Sequence, residues 1–214
     1  MVIELLADYE RDKEDNNDDS LFYQYPKLVY HLDQSFRSRL SKLYRKEIRS
    51  EMVILDLMSS WDSHLPTDVN YEQVIGHGLN QIELQKNKKL NRFWIQDLNK
   101  DQSLPLDDNS IDVCLMVAAW QYLQYPEAIA SEINRIVKSP GKLIVSFSNR
   151  AFWTKATRKW IQSSDFQRLN YIRDVLESNG WSNIERVTEV FPSNPMLNML
   201  GIQKDPFFAI IANK

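Results

Sequence analysis

From residue 51 onward the chain alternates short apolar runs with amphipathic stretches, and this alternation constrains the fold more than any other feature. Met52–Leu57 (MVILDL), Gln73–Leu79 (QVIGHGL), Arg92–Leu98 (RFWIQDL), Ile111–Ala118 (IDVCLMVA) and Lys142–Phe147 (KLIVSF) read as buried strands. Helical spacing follows the second at Ile82–Lys89. It follows the fourth at Pro126–Val137, where Ala128, Ile129, Ile133, Ile136 and Val137 face inward. A helical region over Ala151–Ser178 precedes two last strands, Trp181–Phe191 and Pro206–Ala212, which no helix separates and which pair as antiparallel neighbours if the loop folds back. Strands joined by helical crossovers imply an α/β fold: a mostly parallel sheet of seven strands, helices on both faces, the last strand antiparallel. In such sheets ligands bind outside the carboxyl ends of the strands, so the residues just after each strand are the ones to inspect.

The first fifty residues have a different character. Residues 1–19 hold eight acids against Arg11 and Lys13, lack apolar periodicity over 8–19, and read as a mobile acidic arm. Residues 20–50 carry a net charge of +5 and read as a helical cap, with Leu28, Leu32, Phe36, Leu40 and Leu43 spaced three or four apart along a helix from Lys27 to about Arg49. Residues 51–214 then form the sheet domain. Beyond the cap the charge is near neutral, without the long basic stripe of a nucleic-acid binder. No apolar run approaches the roughly 18 residues that span a bilayer. The start has no basic region ahead of an apolar one, and Cys114 is the single cysteine; both fit a cytoplasmic protein without disulfides. His31, His64 and His77 lack metal-ligand spacing, so no metal is expected.

Several post-strand segments carry a resemblance. Asp97-Leu98, then Leu104-Pro105-Leu106-Asp107-Asp108-Asn109-Ser110-Ile111-Asp112-Val113, and then Glu132 to Gly141 (EINRIVKSPG), follow one another in the order of the class I S-adenosylmethionine (SAM) dependent methyltransferases of type 11. The resemblance covers roughly residues 50–150 and implies their Rossmann-like fold, SAM as cofactor and a small-molecule acceptor. Under it Asp56 faces the methionine ammonium, and Ser59 and Ser60 stand in the loop where the family has glycines. A helix start after that loop offers amides to the methionine carboxylate. Gly78, Leu79 and Asn80 occupy the ribose-binding end of the second strand. Asp97 accepts from the adenine amino group beside Leu98, and Ala119 and Trp120 flank the reacting methyl. Candidates on the acceptor side are His31 as base for a hydroxyl, Tyr30 in the cap, Trp120, and Asn149 after the fifth strand.

Two positions depart from the pattern. The first loop reads Met58-Ser59-Ser60-Trp61-Asp62 without a glycine, and Gly78 stands where an acid normally holds the ribose. The chain resembles closely a subset of methyltransferase-like proteins of plants and photosynthetic bacteria in Asp56 to Pro66, Gly76 to Asn80 and Ser146 to Ala156. That likeness speaks to fold rather than activity. The competing readings are therefore a methyltransferase and a non-catalytic binding module of the same fold. A nicotinamide oxidoreductase is disfavoured because no G-x-G-x-x-G follows the first strand. Whether Trp61 fills the pocket beside Ser59, Gly78 and Asp97 separates the first two.

Overall fold

A computed structural model describes residues 2–190 and 204–214. The sheet has seven strands: β1 Val53–Asp56, β2 Gln73–Gly78, β3 Arg92–Ile95, β4 Ile111–Val117, β5 Val137–Phe147, β6 Ser182–Glu189 and β7 Phe207–Asn213. Their order is β3-β2-β1-β4-β5-β7-β6. Pairs from β3 to β5 are parallel, and β7 runs antiparallel to both β5 and β6. The expected mostly parallel sheet with an antiparallel last strand is thus present. The chain crosses from one half of the sheet to the other between β1 and β4, the switch point where ligands bind in open α/β sheets.

Strand alternation sends side chains to two cores. Leu55, Cys114, Met116, Leu143, Val145 and Ile210 pack with Ile129 and Ile133 of α5 (Pro126–Ile136) and Ile172 and Leu176 of α7 (Asp165–Ser178). Their neighbours Ile54, Val113, Leu115, Ile144 and Ile211 face the other way, onto Phe36, Leu40, Leu43 and Tyr44 of α3 (Gln34–Glu47). The remaining helices are α1 Asp8–Arg11, α2 Asp19–Phe22, α4 Gln81–Lys86 and α6 Arg158–Gln162.

Four expectations are corrected. The cap helix begins at Gln34, because Asp33 caps it by accepting from the Phe36 amide at 2.6 Å; Leu28 lies outside it and is exposed. No helix stands between β1 and β2, so no helix start follows the first loop and α3 shields that part of the sheet. The region 151–178 is broken by a capped restart at Thr157 and another at Ser164. Phe191, the expected end of the sixth strand, lies outside the described residues.

The fourth correction is the acidic arm, which is docked rather than loose. Arg11 is buried against Glu127 of α5, donating to its carboxylate at 2.9 and 3.2 Å and to the Gln124 carbonyl at 2.6 Å. Glu127 is 1% exposed and also accepts from the amides of Leu5 and Leu6, both at 2.9 Å. Farther along, the ammonium groups of Lys13 and Lys155 bracket Asp19 at 2.6 and 3.3 Å. The arm is therefore held by its own Arg11 on Glu127 and by Asp19 between Lys13 and the buried Lys155 of the domain, long-range pairings that sequence spacing does not reveal.

Candidate functional site

A cavity of about 620 Å³ opens at the carboxyl ends of β1 to β5, roofed by the segment between α2 and α3. Small-molecule sites typically occupy roughly 300–1,000 Å³. Of the residues expected at a cofactor site, Asp56, Ser59, Ser60, Gly78, Leu79, Asn80, Asp97, Leu98 and Ala119 line it; among the acceptor candidates Tyr30, His31 and Asn149 line it too. Trp120 does not. The chain turns into a short 3₁₀ helix at Trp120–Tyr122, and the Trp120 side chain is buried in the core.

The first loop keeps a tight shape without glycine. Met58 holds a left-handed φ of 57° at the position where the resembled family turns on glycine, and Ala118 after β4 does the same at 49°. Such conformations strain residues bearing a Cβ and persist where surroundings dictate them. Here the surroundings are His77 and Asn87. The amide of Met58 donates to His77 Nδ1 at 3.1 Å, that of Ser59 to the His77 carbonyl at 2.6 Å, and His77 Nε2 lies 2.9 Å from the Gln96 carbonyl. The ring is therefore the neutral tautomer protonated at Nε2, and burial lowers its pKa to about 4. His77 ties the ends of β1, β2 and β3 together, with both nitrogens engaged. Asn87 donates to the Ser60 carbonyl and the Ser63 hydroxyl, each at 2.9 Å.

This loop explains Gly78. A Cβ there would meet the Ser59 carbonyl oxygen at 2.6 Å, so an acid cannot occupy the end of β2 while the loop keeps its path. Asn80 is no substitute. Its carbonyl caps α4 by accepting from the Glu83 amide at 3.1 Å, and its amide nitrogen donates to the Tyr23 carbonyl at 2.7 Å. A carboxylate reaches the cavity from Glu83 instead. It is buried, accepting from the Ser60 hydroxyl and the Lys27 amide, both at 2.6 Å. Glu83 went unrecognised as a site residue in the sequence. The available signal was Asn80-x-x-Glu83 after a strand, a helix-start spacing that aims an acid at the strand end.

Asp56, at the end of β1, is buried and accepts from the Ser59 hydroxyl at 2.5 Å. Burial raises its pKa, partly opposed by hydrogen bonds from Ser59 and Ser63 and by the charge of His64. Among the described residues neither Asp56 nor Glu83 has an ion-pair partner. Asp97 accepts from the Asn99 amide at 3.0 Å and lies 3.8 Å from the Lys100 ammonium. Among the described residues six carboxylates line the cavity (Asp19, Asp56, Asp62, Glu83, Asp97, Asp205) against three cations (Lys27, Arg150, Lys204). Of these, Asp56 and Glu83 have no ion-pair partner among the described residues, so the uncompensated negative charge lies beside the ends of β1 and β2 and attracts a cationic group there.

Trp61 stands at the rim and leaves the cavity open. Its ring packs on Tyr30 at 4.5 Å and its Nε1 donates to the Val29 carbonyl at 3.2 Å, clasping the roof to the first loop. Asp62 and His64 reinforce this edge at 3.2 Å; burial alone would raise the Asp62 pKa, but the hydrogen bonds and charge of His64 hold it at about 2. On the roof side His31 meets the edge of Phe152 at 5.2 Å, and desolvation lowers the histidine pKa despite the opposing charge of Glu83. Tyr25 points away, exposed to solvent. Among the described residues no cluster suited to a metal ion occurs, and no helix is long and apolar enough to cross a membrane.

Comparison with known proteins agrees with this architecture. Residues 64–145 match the methyltransferase domain family. An uncharacterised protein of Methanocaldococcus jannaschii is 23% identical over 126 residues, 54% of this chain, and the match spans 62% of that relative's length. Among solved structures, a chain of the Haloferax volcanii complex between a methyltransferase activator and its methyltransferase superposes with a TM-score of 0.58. It shows 13% identity, covering 83% of this chain and 89% of that one. A SAM-dependent methyltransferase of Thermotoga maritima, described as a possible histamine N-methyltransferase, gives 0.57 at 19% identity, covering 82% and 88%. These likenesses establish the Rossmann-like methyltransferase fold.

Proposed function

We propose that this chain is a SAM-dependent methyltransferase acting on a small-molecule acceptor. The observation that carries the reading is the open cavity at the switch point, whose buried Asp56 and Glu83 have no ion-pair partner among the described residues. SAM brings an ammonium and a sulfonium, and when bound it supplies a methyl already activated for in-line displacement. Asp56 pairs with the ammonium. Glu83 takes the ribose hydroxyls in place of the missing acid at Gly78, since each carboxylate oxygen keeps a second acceptor site beyond its bond to Ser60 or Lys27. Asp97 receives the adenine amino group, with Leu79 and Leu98 as apolar walls and Ser59, Ser60 and Ala119 at the methionine end. On the acceptor side Tyr30 and Asn149 position the substrate, and His31, held neutral by desolvation, removes a hydroxyl proton. Roof and rim exclude water and orient the acceptor, which is most of what such a reaction needs from protein. A cytoplasmic setting accords with this cofactor and with Cys114 as a free thiol.

A second reading, a binding module of the same fold without catalysis, is favoured by one observation: no helix start after β1 serves the methionine carboxylate. Calorimetric titration with SAM and S-adenosylhomocysteine tests both. Heat and a thermal shift are expected; silence at millimolar ligand would sink the SAM reading. Binding of both ligands without turnover over a broad panel of acceptors would leave the module.

A further inference from the structure

Resting on the methyl-transfer reading, we propose that the outer part of the cavity takes an aromatic acceptor bearing a carboxylate, anchored by the Lys27 ammonium. Lys27 lines the cavity from the roof, and its position is fixed because its own amide donates to Glu83 at 2.6 Å. Its Nζ stands against three ring centroids, Phe22 at 4.5 Å, Tyr23 at 5.1 Å and Phe152 at 5.9 Å. It gives one hydrogen bond, to the Phe22 carbonyl at 2.9 Å. An ammonium carries three donors, so two remain.

No carboxylate of the described residues lies within ion-pair distance of Lys27. Arg150, which also lines the cavity, is different: buried Asp205 takes up its Nε at 2.6 Å. A half-buried cation without a counterion, beside rings that exclude water, is a receptor for an anion. Of these rings Tyr23 and Phe152 line the cavity and offer faces for an aromatic body to stack on. Phe152 also meets His31 at 5.2 Å, so the imidazole and the ammonium both stand beside the ring on which the acceptor would stack. Glu83, Lys27 and Arg150 are the charged groups that bear on His31.

The test uses the full chain saturated with S-adenosylhomocysteine and titrated calorimetrically with 4-hydroxybenzoate, its neutral methyl ester and the cationic amine tyramine. The carboxylate is expected to bind at least about tenfold tighter than either analogue, as for a charge-assisted contact. Lys27→Met abolishes that preference and Lys27→Arg keeps it, while both bind S-adenosylhomocysteine as the parent does, which reports an intact fold. Equal or tighter binding of the ester or amine overturns the proposal. So does a preference that survives Lys27→Met, or no binding by any of the three probes. Failure of the parent chain to bind S-adenosylhomocysteine refutes the methyl-transfer reading instead; the same titrations without it then still decide the anion site.

Discussion

Replacing Arg11 by methionine removes the guanidinium that balances Glu127 and keeps most of the apolar stem. In the folded protein Glu127 is 1% exposed, with both oxygens engaged by Arg11 and with the amides of Leu5 and Leu6 as its other donors. The variant leaves a buried charge without its counterion, which typically costs about 3–5 kcal/mol. For a domain of this size each kcal/mol lowers Tm by roughly 2–4 °C, so a drop of about 6–20 °C is expected. Arg45→Met provides the control. Arg45 pairs with Asp68 at 2.8 Å, but the two side chains are 47% and 63% exposed, and such surface pairs are worth at most about 1 kcal/mol.

The pH dependence adds a second readout. Burial alone would raise the Glu127 pKa, yet the hydrogen bonds from Arg11 and the two amides leave it lowered. A carboxylate with a depressed folded pKa contributes stability that is present above its unfolded value, about 4.3, and lost as pH falls through the folded value. In Arg11→Met, burial prevails and the Glu127 pKa rises, so the deficit is largest near neutrality and shrinks on acidification. Urea denaturation from pH 4 to 8 measures both effects. A loss at pH 7 no greater than that of Arg45→Met would refute the docked arm, as would a deficit that grows toward low pH.

Four further outcomes follow from the site. Asp56→Asn should raise Tm at pH 7, because a carboxylate whose folded pKa is raised costs stability that accrues as pH climbs above the unfolded value and is complete above the folded one. The same variant should weaken SAM binding roughly 10- to 100-fold in calorimetry, through loss of a charge-assisted hydrogen bond; unchanged affinity would remove Asp56 from the ammonium site. In the unmodified chain, SAM affinity should fall as pH drops through the raised Asp56 pKa and be flat above it, and a flat profile across the whole range would count against that pairing. Ala118→Gly relieves a φ of 49°. Left-handed strain of about 1–2 kcal/mol less the roughly 0.5–1 kcal/mol of added chain freedom predicts a net gain near 0.5–1 kcal/mol, seen as a Tm rise of about 1–4 °C.

Alternation of strand and helix patterns from Met52 onward was sufficient for the seven-strand sheet, because a strand buried on both faces must be continuously apolar and its period is local. The segments after β1, β2, β3 and β4 were equally legible as one edge, since parallel strands joined by crossovers put their carboxyl ends together. Tertiary structure decided the rest. The arm reads as disordered because it has no apolar period; what docks it are the pairs Arg11 with Glu127 and Asp19 with Lys155, whose members lie more than a hundred residues apart along the chain. Lys27–Gly78–Glu83 is similar: whether Gly78 leaves a hole or a contact depends on where the Ser59 carbonyl lies, and Glu83 enters the site only because Lys27 and Ser60 converge on it. On sequence grounds alone Trp61 could fill the cavity or leave it open. Its contact with Tyr30 and Val29 selects the clasp, and that choice leaves the cavity open.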